Sequence, residues 1–199
     1  MRLDDLNQLD DRAAARELLQ CCGSTRWAAR MSAARPFGDL AALEGAADRE
    51  FAALARADWL EAFAAHPAIG GAGKAGGAGG AGGAGGEAGR AGGQAGKAGE
   101  AGGATEDVTV GWAANEQRLV AHASDATRQR LADLNRAYEA RFGYIFIVCA
   151  TGKTAAEMLA LLERRLGNDP HTELQIAANE QKKITHLRLH KLVDSRQDG

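Results

Sequence analysis

The chain has 199 residues, a formal net charge of -2 and a hydrophobic share of 45%. That length suits one domain around one core. The charge balance gives no basic stripe for nucleic acid or an anionic membrane, and no apolar run reaches the roughly 20 residues that cross a bilayer.

The charged opening stretch, Met1 to Leu19, lacks the apolar core of a signal peptide. Asp11 to Cys22 reads as a short helix with Leu18 and Leu19 facing inward. Of the three cysteines, Cys21 and Cys22 are adjacent and Cys149 is distant. Neighbouring cysteines rarely bridge each other, so thiols in a reducing cytoplasm are expected. Asp39 to Arg56 sets Leu40, Leu43, Ala47, Phe51 and Leu54 at helical spacing. Asp58 is the expected N-cap of a short helix carrying Leu60 and Phe63 towards His66, and Pro67 stops it.

From Gly70 to Gly103 the chain is almost wholly Gly and Ala, with 18 of its 26 glycines. Such a stretch has high backbone entropy and little apolar surface to offset its ordering. It reads as a flexible insert at about residues 70–104 within a single domain spanning residues 1–199. Beyond it, Trp112 to His122 can form a helix. Ser124 can cap another, on which Leu131, Leu134 and Tyr138 share a face. Phe142 to Ala150 is a short apolar run of β-favouring residues. Thr154 to Leu166 is a helix stopped by Gly167, with Pro170 beyond. His171 to Val193 is a long last helix with Leu174, Ala177, Gln181, Ile184, Leu187 and Leu192 roughly on one side. A lone strand cannot pair with itself, so the expected fold is all-α, with residues 142–150 extended between helices.

Several residues could carry chemistry. His66 stands at a helix end, where the partial negative charge favours imidazolium, a proton donor near neutral pH. The plainer alternative is a surface histidine closing a helix. Glu116 and Gln117 could together grip a polar heterocycle, or simply form an acidic first turn. Ala150-Thr151-Gly152-Lys153-Thr154 resembles the end of a phosphate-binding loop. That motif needs glycine at 147, where Ile147 stands, so Gly152 as a turn and Thr154 as a cap is the preferred reading. His186 and His190 are four apart, but two ligands without a third make no metal site. A solvated basic face with Lys182, Lys183, Arg188 and Lys191 is expected there, and no metal.

Taken in order, a set of segments resembles one family. They are Leu19-Gln20-Cys21-Cys22-Gly23-Ser24 with Arg26-Trp27; Arg35-Pro36-Phe37; Asp58-Trp59-Leu60 leading to His66-Pro67-Ala68-Ile69-Gly70; Trp112 to Gln117; Leu134-Asn135 with Tyr138; Arg141 to Ala150; Arg165-Leu166-Gly167-Asn168; and Glu180 to Leu192. The family is 2-oxo-4-hydroxy-4-carboxy-5-ureidoimidazoline (OHCU) decarboxylase, which gives (S)-allantoin in urate degradation. The resemblance implies an all-helical homodimer that needs no cofactor. His66 matches the family's catalytic histidine, and Glu116 with Gln117 its active-site pair. Pro67, Ala113, Ala114, Asn115 and the backbone of Phe146, Ile147, Val148, Cys149 and Ala150 match its substrate-lining positions. Ala113 stands where many members have serine, and the Gly-rich stretch is long for the family.

The resemblance also implies a mechanism. Losing CO2 leaves negative charge on a ring carbon, delocalised into the adjacent ring carbonyl. Glu116 and Gln117 would hold hydroxyl and ring nitrogens, and N–H groups in residues 146–150 would meet developing oxygen charge. His66 would give the proton that sets stereochemistry, while Arg164, Arg165 and Arg188 are candidate partners of the leaving carboxylate. The rival reading is a non-enzymatic helical binding module with a Gly-rich linker. Loop closure entropy grows only logarithmically with length. Deleting residues 74–98 is therefore expected to leave the melting temperature nearly unchanged, and a large fall in a thermal melt would overturn the composition argument.

Overall fold

The computed structural model describes residues 1–68 and 124–194. In chain order these form α1 (Leu3–Gln8), α2 (Asp11–Cys22), α3 (Thr25–Ala33), α4 (Leu40–Ala52), α5 (Arg56–Ala64), α6 (Asp125–Phe142), α7 (Ala155–Arg165) and α8 (Pro170–Asp194), with no strand among the described residues. Most of these helices start where a short polar side chain accepts the first free N–H groups. Asp10 accepts from Ala13, Ser24 from Trp27, Asp39 from Ala42 and Ser124 from Thr127. Thr154 and Glu157 cap α7 reciprocally, each side chain meeting the other's backbone N–H. Asp169 accepts from His171 and Thr172 N–H at 3.1 and 3.0 Å. Pro170 follows as the first residue of α8, where a missing N–H costs nothing.

The long α8 packs against α2, α4 and α5, while α6 pairs with α7. Trp27, Leu18, Met31, Phe63, Tyr138, Leu131 and Met158 are fully buried in the shared core. Each such apolar side chain contributes about 1.5–3 kcal/mol through area removed from water. Phe63 on α5 meets Tyr144 with ring centroids 5.2 Å apart, and Tyr138 meets Phe142, Tyr144 and Phe146. Residues 143–150 run without regular structure between α6 and α7, as expected of the apolar run.

Four expectations are corrected. The helix placed at Asp39 to Arg56 ends at Ala52, and Arg56 already begins α5. Asp58 is not the cap of α5. It sits in the first turn and accepts the Ala55 N–H at 2.8 Å. Leu187 is 36% exposed rather than inward, and Arg188 is buried rather than solvated. α1 and α3 were not foreseen, and the helix expected at Trp112 to His122 lies outside the described residues.

Gly23 makes the local packing near His66 possible. It ends α2 at φ +83°, and its N–H closes on Leu19 O. A Cβ there would stand 2.6 Å from Ala65 Cβ and 3.2 Å from Ala62 O, so the turn lies directly against the end of α5. Gly143 has the same handedness, φ +82°, with open space around it. Gly143→Ala is expected to cost about 1–2 kcal/mol, the penalty of left-handed backbone alone. Gly23→Ala should cost measurably more, because the end of α5 must also move. Equal losses in urea unfolding would show that the close approach is not sustained in solution.

Candidate active site

His66 leaves the end of α5 with its N–H on Phe63 O at 3.1 Å. Its ring reaches α8. Nε2 lies 2.8 Å from Gln181 Oε1, and Nδ1 lies 3.4 Å from Arg188 Nη2. Gln181 is fully buried, and its amide is oriented by its other contacts. Its Nε2 donates to Cys22 O at 3.1 Å and to Thr185 Oγ1 at 3.4 Å, while Thr185 donates back to Gln181 O. The carbonyl end therefore faces the histidine, and His66 Nε2 carries the hydrogen. Nδ1 is left as the lone-pair nitrogen, turned towards a guanidinium.

This geometry overturns the expected imidazolium. Burial, then the Arg188 charge, pushes the His66 pKa down to about 3, against the opposing bond to Gln181. The ring is neutral at neutral pH. The helix-end effect, typically 0.3–1 kcal/mol, is too small to compete with a neighbouring cation in a buried setting.

The second component is the extended segment Phe146 to Ala150, all of it buried. It has no strand partner among the described residues, and side chains meet its backbone. Phe146 N–H donates to Asn135 Oδ1 at 3.0 Å, and Cys149 N–H to Glu180 Oε2 at 2.8 Å. Arg165 Nη1 donates to Ile147 O at 2.8 Å and Lys153 Nζ to Cys149 O at 2.7 Å. Arg165 is itself fixed by Glu173, with Nε 2.7 Å and Nη2 2.6 Å from Oε1. Tyr138 and Asn168 also donate to Glu173. The Tyr138 hydroxyl is pushed far above its usual range, by burial first and by its bond to Glu173 second. Among the described residues, the N–H groups of Ile147, Val148 and Ala150 take no partner.

The two components share an anchor. Glu180 holds Cys149 and the adjacent Gln181 holds His66, so one turn of α8 places both. Phe63 against Tyr144 ties α5 to the same segment. Pro67 follows His66 and is partly buried. Ala113, Ala114, Asn115, Glu116 and Gln117 lie outside the described residues. Of the three candidate cations, Arg188 stands beside His66, Arg165 is committed to Glu173 and Ile147, and Arg164 is exposed. Sequence reasoning gave Gln181 only a packing role and did not single out Glu180. The available signal was a glutamine on an otherwise apolar helix face.

Two further histidines on α8 pair with acids on α4. His186 Nε2 is 2.7 Å from Asp48 Oδ1, and His190 Nε2 is 2.5 Å from Glu44 Oε1. Among the described residues no group of three or more His, Cys, Asp or Glu side chains is arranged to hold a metal, and no helix is long and apolar enough to cross a membrane.

Comparison with known proteins gives a consistent match. The family model described as OHCU decarboxylase matches residues 7–101 and 95–190. The chain is 36% identical over 172 residues to the uric acid degradation bifunctional protein TTL of Arabidopsis thaliana, covering 86% of this chain and 45% of that protein. It is 44% identical over 71 residues to 2-oxo-4-hydroxy-4-carboxy-5-ureidoimidazoline decarboxylase of Amia calva, covering 36% of this chain and 39% of that one. The chain thus spans under half of the length of these curated relatives. A crystal structure of OHCU decarboxylase in the presence of (S)-allantoin superposes with TM-score 0.65 at 34% identity, covering 89% of this chain and 97% of that one.

A histidine held neutral makes stability depend on acidity. Below its ordinary pKa of about 6.5 the unfolded chain binds a proton at this site, and the folded chain does not until about pH 3. The contribution of His66 is therefore present above about pH 6.5 and is lost as pH falls from there towards 3. At pH 5, unfolding of the wild type should take up about one proton more than unfolding of His66→Asn. Equal uptake, read from the pH dependence of urea unfolding, would mean that His66 titrates normally in the folded state.

Proposed function

The chain belongs to the OHCU decarboxylase family, and on that footing we propose that it is a carboxy-lyase converting 2-oxo-4-hydroxy-4-carboxy-5-ureidoimidazoline to (S)-allantoin without a cofactor. The observation that carries the reading is the neutral imidazole of His66 between Gln181 and Arg188 of α8, the helix whose Glu180 also fixes the Phe146 to Ala150 backbone.

The substrate supplies its own electron sink. The carbon bearing the carboxylate also bears a hydroxyl, and the neighbouring ring carbon is double-bonded to nitrogen. When the bond to CO2 breaks, its electron pair forms a carbon–carbon double bond and the ring nitrogen takes the charge. That nitrogen then takes one proton from solvent. The hydroxyl loses its proton and becomes the product carbonyl, and the neighbouring carbon gains a proton and becomes the stereocentre. One proton is consumed and one is relayed.

A neutral histidine suits the relay. The substrate carboxylate draws the Arg188 guanidinium away from Nδ1 and so restores the basicity that this cation suppresses; His66 Nδ1 then accepts the hydroxyl proton and returns it to the adjacent carbon from one face, which fixes the configuration. In this reading the donor role expected of His66 is its second step, after it has acted as base. Arg188, whose charge keeps the ring neutral, is the cation for the substrate carboxylate. The N–H groups of Ile147, Val148 and Ala150 hold oxygens of the ring and ureido group. Glu116 and Gln117, with Pro67, Ala113, Ala114 and Asn115 around them, complete the site as the family resemblance implies. A homodimer in the cytoplasm belongs to the same reading, supported by the family and by three unbridged, buried cysteines.

His66→Asn is expected to fold normally and to lower kcat by about 10²–10⁴-fold, the usual worth of a positioned acid or base. The assay couples urate to the upstream oxidase and hydrolase and follows (S)-allantoin by circular dichroism. Wild-type turnover in a variant that melts normally would move the proton relay to another group.

A further inference from the structure

A cavity of about 300 Å³ lies between α7, α8 and the extended segment; it shares Val148, Arg165 and Glu180 with the backbone component of the candidate site but includes neither His66 nor Gln181 nor Arg188. Its lining includes Lys153, Arg164 and Lys183, facing one carboxylate, Glu180. Arg165 also borders it, with its charge offset by Glu173. Lys183 pairs with Glu180 at 2.6 Å, and Lys153 donates to Cys149 O, which leaves each ammonium with further N–H donors. Although burial opposes it, the Lys183 ammonium and the Cys149 N–H hold Glu180 below its usual carboxylate range, so this acid is ionised. Arg164 forms no ion pair among the described residues. Among the described residues the cavity thus keeps an excess of positive charge. Its remaining wall is aliphatic, from Val148, Leu161 and Ile176.

The cavity is separate from the His66 site. At about 100° per residue, Ile176, Glu180 and Lys183 are turned roughly 100–170° around α8 from the face of Gln181, Thr185 and Arg188. It lies instead behind the extended segment, where Lys153 of the Gly-Lys-Thr run supplies a charge without forming a phosphate-binding loop.

We propose that this cavity is a binding site for a small carboxylate with an aliphatic body. The guanidinium of Arg164 and the ammonium groups of Lys153 and Lys183 take the carboxylate, and Val148, Leu161 and Ile176 take the hydrocarbon. Arg164 offers the paired N–H geometry that carboxylates fit. A ligand so placed contacts Val148 and Glu180, and so touches the segment away from His66.

The probe is 3-methylbutanoate, titrated into ¹⁵N-labelled full-length protein and followed by amide chemical shifts. Saturable shifts are expected at Leu161, Arg164, Asn168 and Ile176, with a dissociation constant of about 1–10 mM for a ligand of this size. Arg164→Gln with Lys183→Gln, both at exposed positions, should weaken binding at least tenfold while leaving the spectrum otherwise folded. Inorganic phosphate, which cannot use the aliphatic wall, should bind more weakly. No saturable shift, full binding by the double variant, or equal binding of phosphate would overturn the proposal. Shifts confined to residues around Gln181 would also overturn it, by placing the carboxylate in the candidate active site. The readout is binding alone, so it stands or falls apart from the decarboxylase reading.

Discussion

An extended chain buried among helices has no ladder to satisfy its peptide groups, and each unmet N–H or C=O costs about 1–3 kcal/mol. Residues 143–150 pose that problem, and the polar part of the interior answers it. Asn135 meets Phe146, Arg165 meets Ile147 and Glu180 meets Cys149. Burying Arg165 creates a second problem, since an isolated charge in the core is costly. Glu173 answers that one, with Tyr138 and Asn168 donating to it. The buried polar residues of the α6–α8 region thus form a chain of consequences that starts from one irregular segment.

The benefit of that arrangement is a rigid strip of backbone with donors left over. A strand in a sheet would spend its N–H groups on its neighbours. Here side chains take the N–H groups of Phe146 and Cys149, and among the described residues nothing takes those of Ile147, Val148 and Ala150. The same helix that anchors the strip anchors His66, through the neighbouring residue Gln181. Position and protonation state are set together: Gln181 accepts the Nε2 hydrogen, and Arg188 discourages a second proton on Nδ1.

The elements legible in the sequence are those in which capping and periodicity agree. Ser124 and Thr154 cap as expected, and Leu18, Leu43, Phe51, Leu131 and Tyr138 are buried on the faces that spacing assigns. The errors have physical causes. Asp58 was read as a cap because an acid fits both a cap and a first helical turn, and only the accepted N–H tells them apart. Leu187 and Arg188 were assigned to the wrong sides because hydropathy ranks leucine as the inward residue. Neighbours on a helix differ by about 100°, so only one of them can face the core. Arg188 takes that place because the His66 and Gln20 groups there require a donor, which no apolar pattern reports. His66 itself was found by its place before Pro67, but its charge state depends on a residue 122 positions away in sequence.

The central claim is that His66 rests as a neutral ring with its hydrogen on Nε2. The most direct measurement is an NMR titration of ¹⁵N-labelled imidazole in the folded protein. The account predicts ¹⁵N shifts of a neutral Nε2–H ring that stay constant from about pH 5 to 8, since the pKa lies near 3. A midpoint near the ordinary histidine value of about 6.5, or a hydrogen on Nδ1 at neutral pH, would contradict it.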